Sequence, residues 1–241
     1  MNITDIYKGV EWVWFDLDDT LYDFQASSLM ALKRVYGEFR LDRFFSEEQQ
    51  WIDIYHRHNA ALWVDYAAGT VTQATLRRER FVCPMVEAGA DMSDVEPILA
   101  SLDETYLRHL AETGLLVDGA MELVDTLRSA GFHTGIVSNG FMLTQYGKLE
   151  SSGLSGKIDC VVLSDEIGIN KPDRRLFDYA LTKSGATASG SLMIGDNPDT
   201  DIRGALGAGW HAMLFSPQGQ QVDGVPTLTS LREAAVTTKN R

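Results

Sequence analysis

Asp16 and Asp18 stand two residues apart at the close of an apolar run, Val10-Glu11-Trp12-Val13-Trp14-Phe15. On an extended chain that spacing turns both side chains the same way. Two carboxylates held together repel, and they resist joint ionisation unless a cation or a proton offsets them. Asp196 and Asp201, which follow another apolar run, add to the repulsion. Oxygen-rich acidic groups of this kind suit Mg2+, which takes a few carboxylates, waters and phosphate oxygens in an octahedron. Such an ion neutralises phosphate charge and holds the group for in-line attack. Asp16 ends the strand and is placed to attack phosphorus, forming an aspartyl-phosphate and splitting hydrolysis into two easier steps. Asp18 can protonate the leaving oxygen and later take a proton from the attacking water. Charge in the transition state lies on the equatorial oxygens. Ser138 can donate to one of them, and Lys171 can neutralise another while keeping Asp16 ionised. Backbone N–H groups near Leu17 and Asn139 can add to this.

These residues need elements to position them. The aromatic and β-branched run before Asp16 predicts a strand. From Phe24 to about Leu110 strand signals vanish, and helical spacing takes over in Leu29, Leu32, Val35, Tyr36 and Phe39. Further helices are predicted over 47–64, 72–89 and 93–111, making a helical block inserted after the first strand. The chain then alternates. Asp118 is predicted to cap a helix running to Ala130, with Gly131 as its stop. A strand follows over His133–Val137, then Ser138-Asn139-Gly140, a helix over 141–151 and a strand from Ile158 to Leu163. Lys171-Pro172 places proline in the first turn of the next helix. Ser191–Ile194 is a strand, Thr200–Ala208 a helix, and Trp210–Phe215 another strand. Ser230 and Glu233 form a capping box for a last short helix, and the tail from Thr237 to Arg241 is expected to fray. Such alternation predicts a doubly wound parallel sheet with helices on both faces, whose ligands bind beyond the carboxyl ends of the strands. Each polar segment taken alone also reads as a turn. Their occurrence in order, at the ends of successive strands, favours one shared crevice.

Composition narrows the field. The 241 residues carry a net charge of −13, which argues against a nucleic-acid polymer as partner. An anionic ligand must therefore meet local positive charge. No apolar run approaches the ~20 residues needed to cross a bilayer. The N-terminus lacks the basic and apolar regions of a secretion signal, so a cytoplasmic protein is expected. Cys83 and Cys160 form no CxxC and are read as buried thiols. The five histidines show no metal-ligand spacing, and His56 and His58 are read as surface residues.

Taken together, the segments resemble the haloacid dehalogenase-like (HAD) hydrolase superfamily. Asp16-Leu17-Asp18-Asp19-Thr20 is similar to its DxDx[TV] first motif, Ser138-Asn139-Gly140 to its second, Lys171-Pro172 to its third, and Gly195-Asp196 through Asp201 to its GDxxxxD fourth. The resemblance runs from about residue 10 to 216. It implies a Rossmann-like α/β core over 1–21 and 114–241, with a helical C1-type cap over 22–113. It further implies Asp16 as nucleophile, Asp18 as acid and base, and Mg2+ held by the Asp16 side chain, the Asp18 backbone carbonyl and Asp196, with Asp201 in support. Dehalogenases of the superfamily lack the second aspartate of the first motif, so Asp18 favours phosphoryl chemistry.

The stretch Asn59–Gly69, centred on Leu62-Trp63-Val64-Asp65-Tyr66, resembles the YjjG-type pyrimidine 5′-nucleotidases, as do Ile136–Phe141 and Phe177–Leu181. That resemblance implies nucleoside 5′-monophosphates as substrates. Asn139 and Gly140 then bind substrate, and Trp63 and Tyr66 either stack on a base or pack within the cap. The expected partner is a small phosphate monoester, handled by a monomer or homodimer with a cap that moves. Alternatives are a sugar-phosphate or phosphoglycolate phosphatase, a phosphomutase, and a non-catalytic phospholigand-binding module.

Overall fold

A computed structural model describes residues 3–236; the tail from Thr237 to Arg241 lies outside the described residues. In chain order the chain forms α1 (Ile3–Ile6), β1 (Trp12–Phe15), α2 (Phe24–Glu38), α3 (Glu48–Ala67), α4 (Gln73–Glu87), α5 (Met92–Val95) and α6 (Leu99–Glu112). It continues with α7 (Ala120–Ser129), β2 (His133–Ser138), α8 (Met142–Ser151), β3 (Cys160–Leu163), α9 (Arg174–Ser184), β4 (Ser191–Gly195), α10 (Gly204–Gly207), β5 (His211–Phe215) and β6 (Thr227–Leu228). Two compact units result, one from the residues up to Phe24 with those from Gly114 onward, the other Gln25–Thr113. None of the described helices is long and apolar enough to cross a membrane.

The first unit is a parallel sheet of order β3-β2-β1-β4-β5-β6. Because strand side chains alternate, Val13 and Phe15 enter one apolar layer with Leu123, Val124 and Leu127 of α7 and Leu149 of α8. Trp12 and Trp14 enter the opposite layer with Leu176, Phe177 and Ala180 of α9 and Ala205 of α10. Gly135, opposite Trp14 in the register, has to be glycine. A Cβ there would fall 2.2 Å from the indole. The order reverses at β1, between β2 on one side and β4 on the other, which is where α/β sheets of this order bind ligands. Phe15 pairs with both Ile136 and Ile194, so the residues beyond the three central strands emerge side by side.

The helical segment leaves and rejoins this unit at adjacent points. Val117 donates its N–H to Leu21 at 2.9 Å, and Asp23 donates to Leu115 at 3.0 Å. Tyr22 and Leu116 form an antiparallel bridge between them.

The structure corrects several local expectations. Asp118 does not cap α7; Gly119 stands at that position in the left-handed region, and the Asp118 carboxylate pairs with Arg232 instead. Pro172 precedes α9, whose cap is Asp173, with its carboxylate accepting from the Arg175 N–H at 2.9 Å. The helix expected from Thr200 begins as a wide π-type turn over Pro198–Arg203 and tightens into α10. The last helix is a single 3-10 turn, Leu231–Ala234, closed by the expected Ser230 and Glu233 box. Cys83 is half-buried, while Cys160 is buried. Leu29 is exposed, and His56 and His58 are half-buried, with His58 bonded to Glu87 at 2.8 Å.

In the helical unit the predicted 93–111 helix is interrupted. A 3-10 turn at Glu96–Ile98 separates α5 from α6, where Pro97 cannot donate an N–H. The core is aromatic: Trp51, Tyr55, Phe81 and Tyr106 are all buried, with ring centroids 5.3–6.1 Å apart in the Tyr55–Phe81, Tyr55–Tyr106 and Trp51–Phe81 pairs among them. Arg80 is buried beside them, over the Tyr106 ring at 5.0 Å, and pairs with Asp103. Arg77 donates to the second Asp103 oxygen at 2.7 Å.

Candidate active site

Asp16 is the first residue past β1, its N–H bonded to Ile194 of β4 at 3.0 Å. The chain then turns back on itself, with Leu21 and Tyr22 donating to the Leu17 carbonyl. Asp19 takes a positive φ of 55°, a left-handed conformation that aspartate tolerates better than most residues. The turn keeps Thr20 buried, where its hydroxyl donates to Asp196 Oδ1 at 3.1 Å.

Lys171 ties three strand ends together. Its ammonium donates to Asp16 Oδ1 at 2.7 Å, to Asp201 Oδ1 at 2.7 Å and to the Val137 carbonyl at 2.8 Å. All three of its protons are therefore engaged. Lys171 can orient Asp16, but it reaches a phosphoryl oxygen directly only by giving up one of these bonds. Asp201 is fully buried, and its other oxygen accepts the Asn197 N–H at 3.0 Å.

Asp16, Asp196 and Asp201 each offer an oxygen within 4.8 Å of the others. Three carboxylates against one ammonium leave two negative charges without a local counterpart. Burial pushes the Asp16 carboxyl up to about 7; Lys171 opposes the rise, while Asp201 and Asp18 add to it. Burial likewise pushes Asp196 up to about 8, with Asp16, Asp201 and Asp19 adding to it and Thr20 opposing it. Burial disfavours the Lys171 cation, but Asp16 and Asp201 outweigh it and hold its pKa above the ordinary lysine value. The donor set is thus all oxygen and short of two positive charges. Those properties fit a hard divalent cation.

Asp18 turns to a different neighbourhood. Its Oδ1 accepts from Lys148 Nζ at 2.5 Å and its Oδ2 from Gln145 Nε2 at 3.0 Å. Gln145 also donates to Ser138 Oγ at 2.7 Å. Ser138 Oγ accepts the Gly140 N–H as well, at 3.1 Å. Gln145 and Lys148 were not foreseen from the sequence. Both belong to the inward face of α8 with Thr144 and Leu149, and that i, i+1, i+4, i+5 pattern was their one available signal. Gly140 is what admits Gln145, since a Cβ at residue 140 would fall 2.2 Å from its amide nitrogen.

The Asn139 side chain latches the Lys171 backbone, accepting its N–H at 2.7 Å and donating to its carbonyl at 3.1 Å. Within the first unit the structure therefore places two hydrogen-bonded groups, Asp16, Asn139, Lys171 and Asp201 in one and Asp18, Ser138 and Gly140 in the other. Asp196 lies beside Asp16 and Asp201, and the Asp18 carboxylate lies outside that acidic cluster. Trp63 and Tyr66 belong to the helical unit. They are half-buried on α3 and make an edge-to-face pair with centroids 5.5 Å apart.

Comparison with known proteins bears on this arrangement. The model of the haloacid dehalogenase-like hydrolases matches residues 10–209. The chain is 34% identical to the pyrimidine 5′-nucleotidase YjjG of Escherichia coli K12, over 92% of this chain and 95% of that one. It is 28% identical to the pyrimidine 5′-nucleotidase PynA of Streptococcus pneumoniae, over 86% and 84%. Among solved structures, magnesium-bound HAD-hydrolase YfnB of Bacillus subtilis superposes with a TM-score of 0.82 at 29% identity, covering 93% of this chain and 96% of that one.

Proposed function

The chain belongs to the haloacid dehalogenase-like hydrolases and is a phosphoric monoester hydrolase, and from that premise we propose that its substrates are nucleoside 5′-monophosphates, pyrimidine ones foremost. The observation that carries the substrate class is the similarity to YjjG along nearly the whole of both chains. Mg2+ is the cofactor in this reading, which the oxygen donors and charge deficit of the Asp16, Asp196 and Asp201 cluster support. The YfnB relative is itself bound to magnesium. When bound, the ion supplies charge neutralisation for the phosphoryl group.

The chain's own residues divide the remaining work. Asp16 attacks phosphorus, and the bond to the ester oxygen breaks. Lys171 orients Asp16 and favours its ionised, nucleophilic form. Asp18 gives a proton to the departing oxygen. Water then attacks the aspartyl-phosphate, Asp18 takes its proton, and Asp16 is released. Ser138 already accepts two hydrogen bonds, so its own hydrogen is left to donate to a phosphoryl oxygen. In this reading the Gln25–Thr113 unit, which starts three residues later than the expected 22–113 segment, acts as the cap, and Trp63 and Tyr66 belong to its substrate-selecting surface.

The test is phosphate release with Mg2+ across nucleoside monophosphates, sugar phosphates and phosphoglycolate. Turnover of pyrimidine nucleotides above the others is expected. Activity confined to sugar phosphates would overturn the substrate assignment.

A further inference from the structure

We propose that Gln145 and Lys148 are positioning residues for the reaction, forming on α8 a dock that fixes the Asp18 carboxylate and the Ser138 hydroxyl together. The inference rests on the functional reading above and adds two residues to it.

The geometry is specific. Lys148 and Gln145 are three residues apart on a helix, so their side chains lie on one face. Lys148 donates to Asp18 Oδ1 at 2.5 Å, and Gln145 donates to Asp18 Oδ2 at 3.0 Å. Each carboxylate oxygen is thus held once and keeps a lone pair for proton exchange. The second amide hydrogen of Gln145 goes to Ser138 Oγ at 2.7 Å. The same amide therefore sets the acid and the phosphate donor in register. The amide cannot be turned over, because its oxygen would then face the Asp18 carboxylate.

Burial argues that this is a built feature. Gln145 is fully buried and Lys148 is 2% exposed, although lysine is almost never fully buried unless paired. The Lys148 ammonium lies 5.3 Å from the ring centroids of both Tyr22 and Phe24, an aromatic setting that suits a cation. Gly140 leaves the space that the Gln145 side chain occupies. A lysine needed only for solubility would not be enclosed this way.

A dock for the proton donor has a distinctive consequence. Esters with a poor leaving group need the proton as the bond breaks, whereas aryl esters with a good leaving group need it far less. The value of kcat/KM reports the steps up to leaving-group departure, so it isolates this demand. The experiment compares thymidine 5′-monophosphate with p-nitrophenyl phosphate, in Mg2+, for wild type, Lys148→Met and Gln145→Leu. For each variant the loss in kcat/KM on the nucleotide should exceed the loss on the aryl ester by about 30-fold or more. In an Asp18→Asn background, Lys148→Met should cost nothing further on the nucleotide, since residues acting as a unit are non-additive. Equal losses on both esters, or full additivity with Asp18→Asn, would overturn the positioning role. If Lys148→Met does not fold, Gln145→Leu carries the same comparison. A wild-type protein inert toward both esters overturns the functional reading, and the dock falls with it; an active wild type with equal losses overturns the dock alone.

Discussion

A Cβ at Gly195 would fall 2.3 Å from Asp201 Oδ2, so the last residue of β4 can carry no side chain while Asp201 holds its place. Asp201 in turn receives Lys171, which orients Asp16. Gly195→Ala should displace this chain of contacts without touching substrate. Outer partners of a metal site typically cost 10–100-fold when lost, so Mg2+ affinity or activity should fall by about that factor. A Mg2+ titration of the phosphate-release rate checks it, and an unchanged half-saturation point would count against the linkage.

Asp16→Asn keeps the shape of the side chain and removes the proposed nucleophile. Turnover should fall by about 10³-fold or more, with the circular dichroism spectrum retained. Acid-quenched wild type should carry one phosphoryl group on the peptide containing Asp16, and the variant none. A variant with wild-type rate refutes the assignment.

The acidic cluster predicts how pH and Mg2+ act together on stability. Asp16 and Asp196 stand at about 7 and about 8 in the folded chain, whereas unfolded aspartate ionises near ~3.9. Between those values the metal-free folded state holds protons that the unfolded state has released. Its stability should therefore fall as pH rises from about 4 through about 8. In the proposed reading Mg2+ would bind the ionised carboxylates in competition with protons, so it should offset the loss most where they are ionised. Melting temperatures in chelator and in Mg2+ should differ more at about pH 8 than at about pH 5.5. An equal gain at both would contradict the cluster as the ion's site.

In the helical unit, Asp103→Ala would leave Arg80 buried without its carboxylate. Breaking a buried pair in this way typically costs about 3–5 kcal/mol. Urea denaturation should show a lowered midpoint for the transition of that unit. A shift below about 1 kcal/mol would mean that Arg80 finds other partners or water, as exposed pairs do.

Much of the candidate site was legible because its carboxylates cluster where strands end. The run to Phe15, the break at Asp16 and the repeat of that pattern at Gly195-Asp196 are visible in residue types alone. The α/β alternation followed from the same periodicities. Gln145 and Lys148 were not legible, because glutamine and lysine on a helix ordinarily face water, and only tertiary pairing with Asp18 brings them inside. Asp118 misled for a related reason. It is a good capping residue, but Arg232, distant in sequence, engages its carboxylate. Strand β6 has two residues, too few to show an alternating pattern.

The paired N–H bonds joining Leu21 to Val117 and Asp23 to Leu115 make the excursion of the chain a loop whose two ends are already stitched. Replacing residues 25–113 with another closed segment would therefore leave every strand and carboxylate of the sheet unit uncut. If the proposed division of labour holds, bond-breaking and substrate choice can be inherited separately, and a graft at these two seams should move specificity while keeping the chemistry.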